Sequence, residues 1–284
     1  MNNLKVELNF NTQNKLFGKE YINLYIGNNL LGILTNDLGV IKLENNEVIL
    51  KTILDITYPL KTAMTLLGRI AEALIVKHCR ESEITNKKWL SRARFKRVFR
   101  ATSLKFKAIG TGLKFTKEFY STFYNPNDTQ RDIIWIDESN NYAMIPDRSN
   151  QTAGVIAGLQ IKVSTDYHTI LRDVLNLKYE IPIVYFDINN DFEKLVNDLN
   201  KNHKTFLLKH SIEIGKDIIS ARILDSNIFY ELLQYCELVV AIVNGKLKPS
   251  ELIDFSKTND ILKNSVISTS LNNINITTDS INTN

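Results

Sequence analysis

A chain of 284 residues, 44% hydrophobic and 23% charged, is long enough for one large core or two modest ones and has an ordinary globular composition. No run approaches the roughly eighteen apolar residues of a membrane span, the N-terminus lacks the apolar core of a secretory signal, and two distant cysteines, Cys79 and Cys236, offer neither a disulfide framework nor zinc spacing. The net charge of only +4 fixes no partner class, and the expected setting is a reducing cytoplasm without a membrane partner.

Residues 1–57 read as β-rich. Apolar stretches at 21–26, 30–34, 40–43 and 48–50 are separated by Gly-, Asn- and Asp-rich turns at roughly ten-residue spacing, the pattern of a small antiparallel meander. Such a meander is either an appended subdomain, the favoured choice, or an edge of a larger sheet. After Pro59 the period changes. Ala63, Leu66, Leu67, Ile70, Ala71, Leu74 and Ile75 recur at three- and four-residue steps and predict a helix with an apolar stripe. Glu72 lies on this helix among apolar neighbours. It is a surface carboxylate or, if turned inward, an acid of a functional site.

A basic block follows. Between Lys87 and Lys117 there are eleven basic residues and no acid, so the rest of the chain carries a net −7. Lys87, Lys88, Arg92, Arg94, Lys96, Arg97, Arg100, Lys105 and Lys107 form its dense part, suited to a phosphate backbone and to strongly salt-dependent binding. A solvated basic face is the plainer alternative. The block is expected to be helical from 89 to 100 and strand-like near 104–106 and 113–115. Residues 132–137 predict a strand and 142–145 its hairpin partner. An apolar strand spans 154–164, a helix 167–177, a doubly covered strand 182–188, and further helices 192–199 and 229–243. From 265 the chain is rich in Ser, Thr and Asn and is expected to be a mobile tail. The divisions are therefore 1–57, 58–264 and 265–284.

The densest chemical signal is Ile145-Pro146-Asp147 followed by Gln160-Ile161-Lys162. Alternation puts Gln160 and Lys162 on one face of their strand and Ile161 and Val163 on the other. A lysine among Val, Ile, Ala and Leu is costly unless it has a partner or a task. Asp147 alone is an ordinary turn residue, and Asp132, 28 positions before Gln160, is its main competitor as a metal-binding acid. Asp166 and His168 read as helix-cap and surface residues. Neither a glycine-rich phosphate loop nor a nucleophile elbow is present, and the four histidines are scattered.

With these residues the chain resembles the PD-(D/E)XK nuclease superfamily, in the variant with Gln in the second acidic position. The resemblance covers about residues 60–190. It implies an α/β fold with a restriction-endonuclease-like core, in which a mixed central sheet is flanked by helices. It also implies Mg²⁺ or Mn²⁺ as cofactor, held by Asp147, Gln160, the Ile161 carbonyl and Glu72, with Lys162 orienting the attacking water. The expected activity is endonucleolytic cleavage of DNA in restriction, phage defence or mobile-element processing, by a homodimer or a subunit of a larger complex. The alternatives are a nuclease-fold subunit that binds nucleic acid without cutting, and a ribonuclease toxin acting on RNA.

Overall fold

A computed structural model describes residues 25–44, 47–51, 58–93, 105–145 and 156–263. Residues 25–32 are helical (α1) and run into a π-turn over Ile33–Asp37. A hairpin of β1 (Ile41–Glu44) and β2 (Glu47–Leu50) follows. The strands expected at 21–26 and 30–34 are thus corrected where described. Ile26, Leu30, Ile33 and Leu34 follow a helical spacing and are buried in the main core, so this segment is not a separate β-subdomain.

α2 (Pro59–Glu81) opens with proline at its first position, where the missing N–H has no partner to lose. The predicted stripe is buried, and so are Glu72, Ala73 and Val76; burial nearly all round marks a central helix. α3 (Glu83–Ala93) follows. Its buried Asn86 donates to the Phe106 carbonyl at 2.9 Å and accepts from Trp135 Nε1 at 2.8 Å, tying the helix to the sheet.

The main sheet contains β3 (Phe106–Gly110), β4 (Ile133–Asp137), β5 (Tyr142–Ala143), β6 (Gly158–Ser164), β7 (Ile183–Asp187) and β8 (Ile218–Ser220). Its order is β3-β4-β6-β7-β8, with β5 also paired to β4. One half is antiparallel (β3, β4, β6) and the other parallel (β6, β7, β8). The fold is therefore mixed α/β, with helices on both faces. Of the strand expected near 104–106, residue 104 lies outside the described residues and β3 begins at Phe106; the strand expected at 113–115 is corrected, because α4 (Lys114–Phe119) starts there.

α5 (Tyr167–Leu175), α6 (Phe192–Asn202) and α7 (Lys204–Lys209) cover one face of the parallel half, where Ile183, Tyr185 and Ile218 meet Ile170, Leu195 and Leu199. α8 (Ala221–Leu224), α9 (Ser226–Val243) and α10 (Phe255–Lys263) complete the chain, and α9 packs with α2 over Val184, Phe186 and Ile219 on the opposite face. Among the described residues, α9 is the one helix long and apolar enough to cross a membrane, and more than half of it is buried in this core. Cys79 and Cys236 are buried and unbridged. The tail from 265 lies outside the described residues.

Candidate functional site

β4 and β6 pair only over Ile133–Leu159 and Ile134–Gly158. One residue further they part, and the side chain of Asp132 fills the fork. Its Oδ2 accepts from the Ile161 backbone N–H at 2.7 Å and from Gln160 Nε2. A ladder bond is thereby replaced by a carboxylate. The strands come this close because position 158 is glycine: a Cβ there would lie 2.7 Å from the Ile133 carbonyl oxygen. Asp128 shapes the approach to the fork, accepting from the backbone of Gln130 and Arg131 and pairing with the Arg131 side chain at 3.2 Å.

Glu72 reaches the same place from α2. It is fully buried, and its carboxyl is pushed well above the usual carboxylate range, first by burial and then by the charge on Asp132. Burial also raises Asp132, to about 6, against the Ile161 N–H and the cations Lys162 and Arg69, which favour its charged form. Arg69, one turn before Glu72 on α2, brings its Nε to 3.8 Å from Glu72 Oε2. Lys162 Nζ lies 4.0 Å from Asp173 Oδ2 and 4.8 Å from the centre of the Tyr179 ring, with a quarter of its side chain exposed. Ile161 and Val163 point to the α2 face, as alternation predicts.

Of the predicted site residues, Gln160 and Ile161 meet Asp132 directly, Lys162 leaves the sheet face that carries Asp173 and Tyr179, and Glu72 approaches from the α2 side, near enough for its charge to be felt by Asp132 and Lys162. Asp147 lies outside the described residues. Asp132 stands where sequence reasoning had put Asp147. The separation of 28 positions is no obstacle, because β5 and β6 share one edge of β4: β5 takes Ile136 and Asp137, and β6 takes Ile133 and Ile134. The signal that could have found it is an acid immediately before a continuous apolar strand. Asp166 caps α5, accepting from the His168 N–H at 3.0 Å.

The described residues of the basic block are not part of the fork. Arg94, Lys96, Arg97 and Arg100 lie outside the described residues. Lys105 pairs with Asp137 at 2.6 Å, five residues along β4 from Asp132, which is about 17 Å at strand rise. Lys88 pairs with Asp225 at 3.3 Å, Arg92 donates to the Gly215 carbonyl at 3.3 Å, and Lys87 is exposed. Lys107 lies half-buried on β3.

The donor set suits a hard divalent cation. Two adjacent carboxylates and a neutral amide are the oxygen ligands Mg²⁺ uses when substrate phosphate and water supply the rest. Gln160 Oε1 is buried without a hydrogen-bond partner, because the negative Asp132 draws the NH₂ end of the amide and leaves the oxygen free to ligate. Among the described residues no group of three His, Cys, Asp or Glu side chains forms a cage. Two carboxylates and an amide fall below that count. No family model matches the chain, and no curated protein or solved structure does.

Proposed function

We propose that this chain is a divalent-cation-dependent nuclease with a PD-(D/E)XK-like core, in which Asp132 serves as the metal-binding aspartate. The observation that carries this reading is the meeting of Asp132 with Gln160 and the Ile161 N–H at the fork in the sheet, with the charges of Glu72 and Lys162 close enough to act on Asp132. A bound Mg²⁺ or Mn²⁺ supplies Lewis acidity toward a phosphodiester and lowers the pKa of a coordinated water. Glu72, Asp132 and the Gln160 amide oxygen hold the cation. Lys162 stands beside them with its ammonium only loosely tied to Asp173, so it is free to orient a water nucleophile and to balance negative charge as it develops on phosphate. DNA is the favoured substrate and RNA the alternative. The described part of the basic block lends little to the fork itself, so its cations act on phosphates remote from the cleaved bond.

A second reading has an observation of its own. Gln160 brings no charge, and its amide, with the Ile161 N–H, already occupies Asp132 Oδ2. That weakens cation affinity and favours a nucleic-acid-binding subunit without turnover. The test incubates the protein with supercoiled plasmid, linear DNA and structured RNA in Mg²⁺, Mn²⁺ or EDTA, beside Asp132→Asn, Lys162→Ala and Asp147→Ala. Metal-dependent cleavage lost in the first two variants supports the proposal. Loss in Asp147→Ala alone would return the metal-binding role to that residue. Salt-sensitive binding without cleavage would favour the second reading.

A further inference from the structure

Arg69 is the charged group of the fork that the reading above leaves without a task. Its Nη2 donates to the Gly112 carbonyl at 2.5 Å, and this is possible because residue 112 has no side chain: a Cβ there would stand 2.7 to 2.9 Å from the guanidinium atoms. The tether fixes the group on the Glu72 side of the fork. It uses little of the donor capacity. Nε is buried with no hydrogen-bond partner, since Glu72 at 3.8 Å is too far to accept, and a third of the side chain is exposed. A guanidinium held rigidly with idle N–H groups is a phosphate-binding device.

Charge balance points the same way. The fork already holds two cations, Arg69 and Lys162, and Lys162 has its own partner in Asp173 at 4.0 Å. A divalent cation leaves the fork with an excess of positive charge, which an anion must offset. The diester phosphate of the substrate is that anion. We propose that Arg69 contacts a non-bridging oxygen of the bound phosphodiester, and that without substrate it rests beside Glu72 on its tether to the Gly112 carbonyl. This rests on the nuclease reading for the identity of the anion.

The experiment measures two affinities in opposite directions. Mn²⁺ alone is titrated into the protein, followed by thermal shift. A duplex oligonucleotide is titrated in EDTA over a range of salt. The variants are Arg69→Gln and Gly112→Ala; the second keeps the arginine and displaces it. Removing a cation beside the carboxylates should tighten Mn²⁺ by about three- to tenfold. The oligonucleotide should bind more weakly, with a salt slope reduced by about one. Gly112→Ala should move both in the same senses, and Arg69→Lys should restore part of the oligonucleotide affinity. Weakening of both ligands together would mean a merely structural tether and would overturn the proposal, as would no change in either. If the parent protein cleaves and Arg69→Gln cleaves equally well, Arg69 fails while the nuclease reading stands. If nothing cleaves and the opposite shifts are seen, the nuclease reading fails while the role of Arg69 in anion binding stands.

Discussion

Replacing Asp132 by asparagine should make the cation-free protein more stable at alkaline pH, although it removes a central group of the site. Burial raises the folded-state pKa of Asp132 from 3.8 to about 6. A raised carboxylate binds its proton more tightly in the folded state than in the unfolded one, so the associated stability is present at low pH and lost as pH rises through about 6. Above that pH the difference corresponds to about 3 kcal/mol, and at pH 5 to about half as much. Asparagine never ionises, and its side-chain oxygen can still accept from the Ile161 N–H and Gln160 Nε2. The gain should approach 3 kcal/mol at pH 8 in EDTA, a rise in Tm of about 6 °C for a chain of this size. The assay is thermal or urea unfolding of both proteins at pH 5 and pH 8. Mn²⁺ should stabilise the parent at pH 8 and leave the variant nearly unchanged. A variant less stable than its parent at pH 8, or a gain of equal size at both pH values, would refute the electrostatic picture of the fork.

Gly158→Ala forces a methyl group against the Ile133 carbonyl and the Arg131 side chain, and should cost about 2 kcal/mol and abolish Mn²⁺ stabilisation, both readable by thermal shift. Asn86→Ala leaves the Phe106 carbonyl and the Trp135 indole N–H unpartnered in the core; a loss of about 2–4 kcal/mol in urea unfolding is expected, with metal binding preserved. His78 bonds Glu231 at 2.7 Å across α2 and α9, and that bond raises its folded-state pKa. The stability it provides is full below the unfolded value near 6.5 and lost as pH rises through the folded one. Glu231→Gln should therefore lower Tm at pH 6 and matter much less at pH 9.

The elements that carry the site were legible because their periodicity is unmistakable: the stripe of α2, the alternation of β6 and the continuous apolar run of β7. Glu72 was legible too, as an acid embedded in apolar residues of a central helix. Three features were not. α1 was read as strand because Gly27, Asn28 and Asn29 look like turn residues, whereas burial of Ile26, Leu30, Ile33 and Leu34 against α2 overrides their weak helix propensity. Asp132 was ranked second because proximity along the chain favoured Asp147. Which strand neighbours which is a tertiary fact, and the sharing of one β4 edge by β5 and β6 leaves no local mark. Arg69 gave no signal at all, since its importance depends on the absent side chain of Gly112, forty-three positions away.

The fork also bears on how freely such a protein can vary. Glu72, Asp132 and Gln160 each come from a different stretch of the chain, on α2, just before β4 and on β6. Lengthening the connection between β3 and β4, or the one between β5 and β6, changes the numerical separation of these residues and leaves their meeting point where it is. Two distances along the chain cannot change: the two-residue step from Gln160 to Lys162, because both must leave the same face of one strand, and the three-residue step from Arg69 to Glu72 on one face of α2. A search for kindred chains should therefore fix those two steps and the acid preceding an antiparallel neighbour, and leave every other interval open.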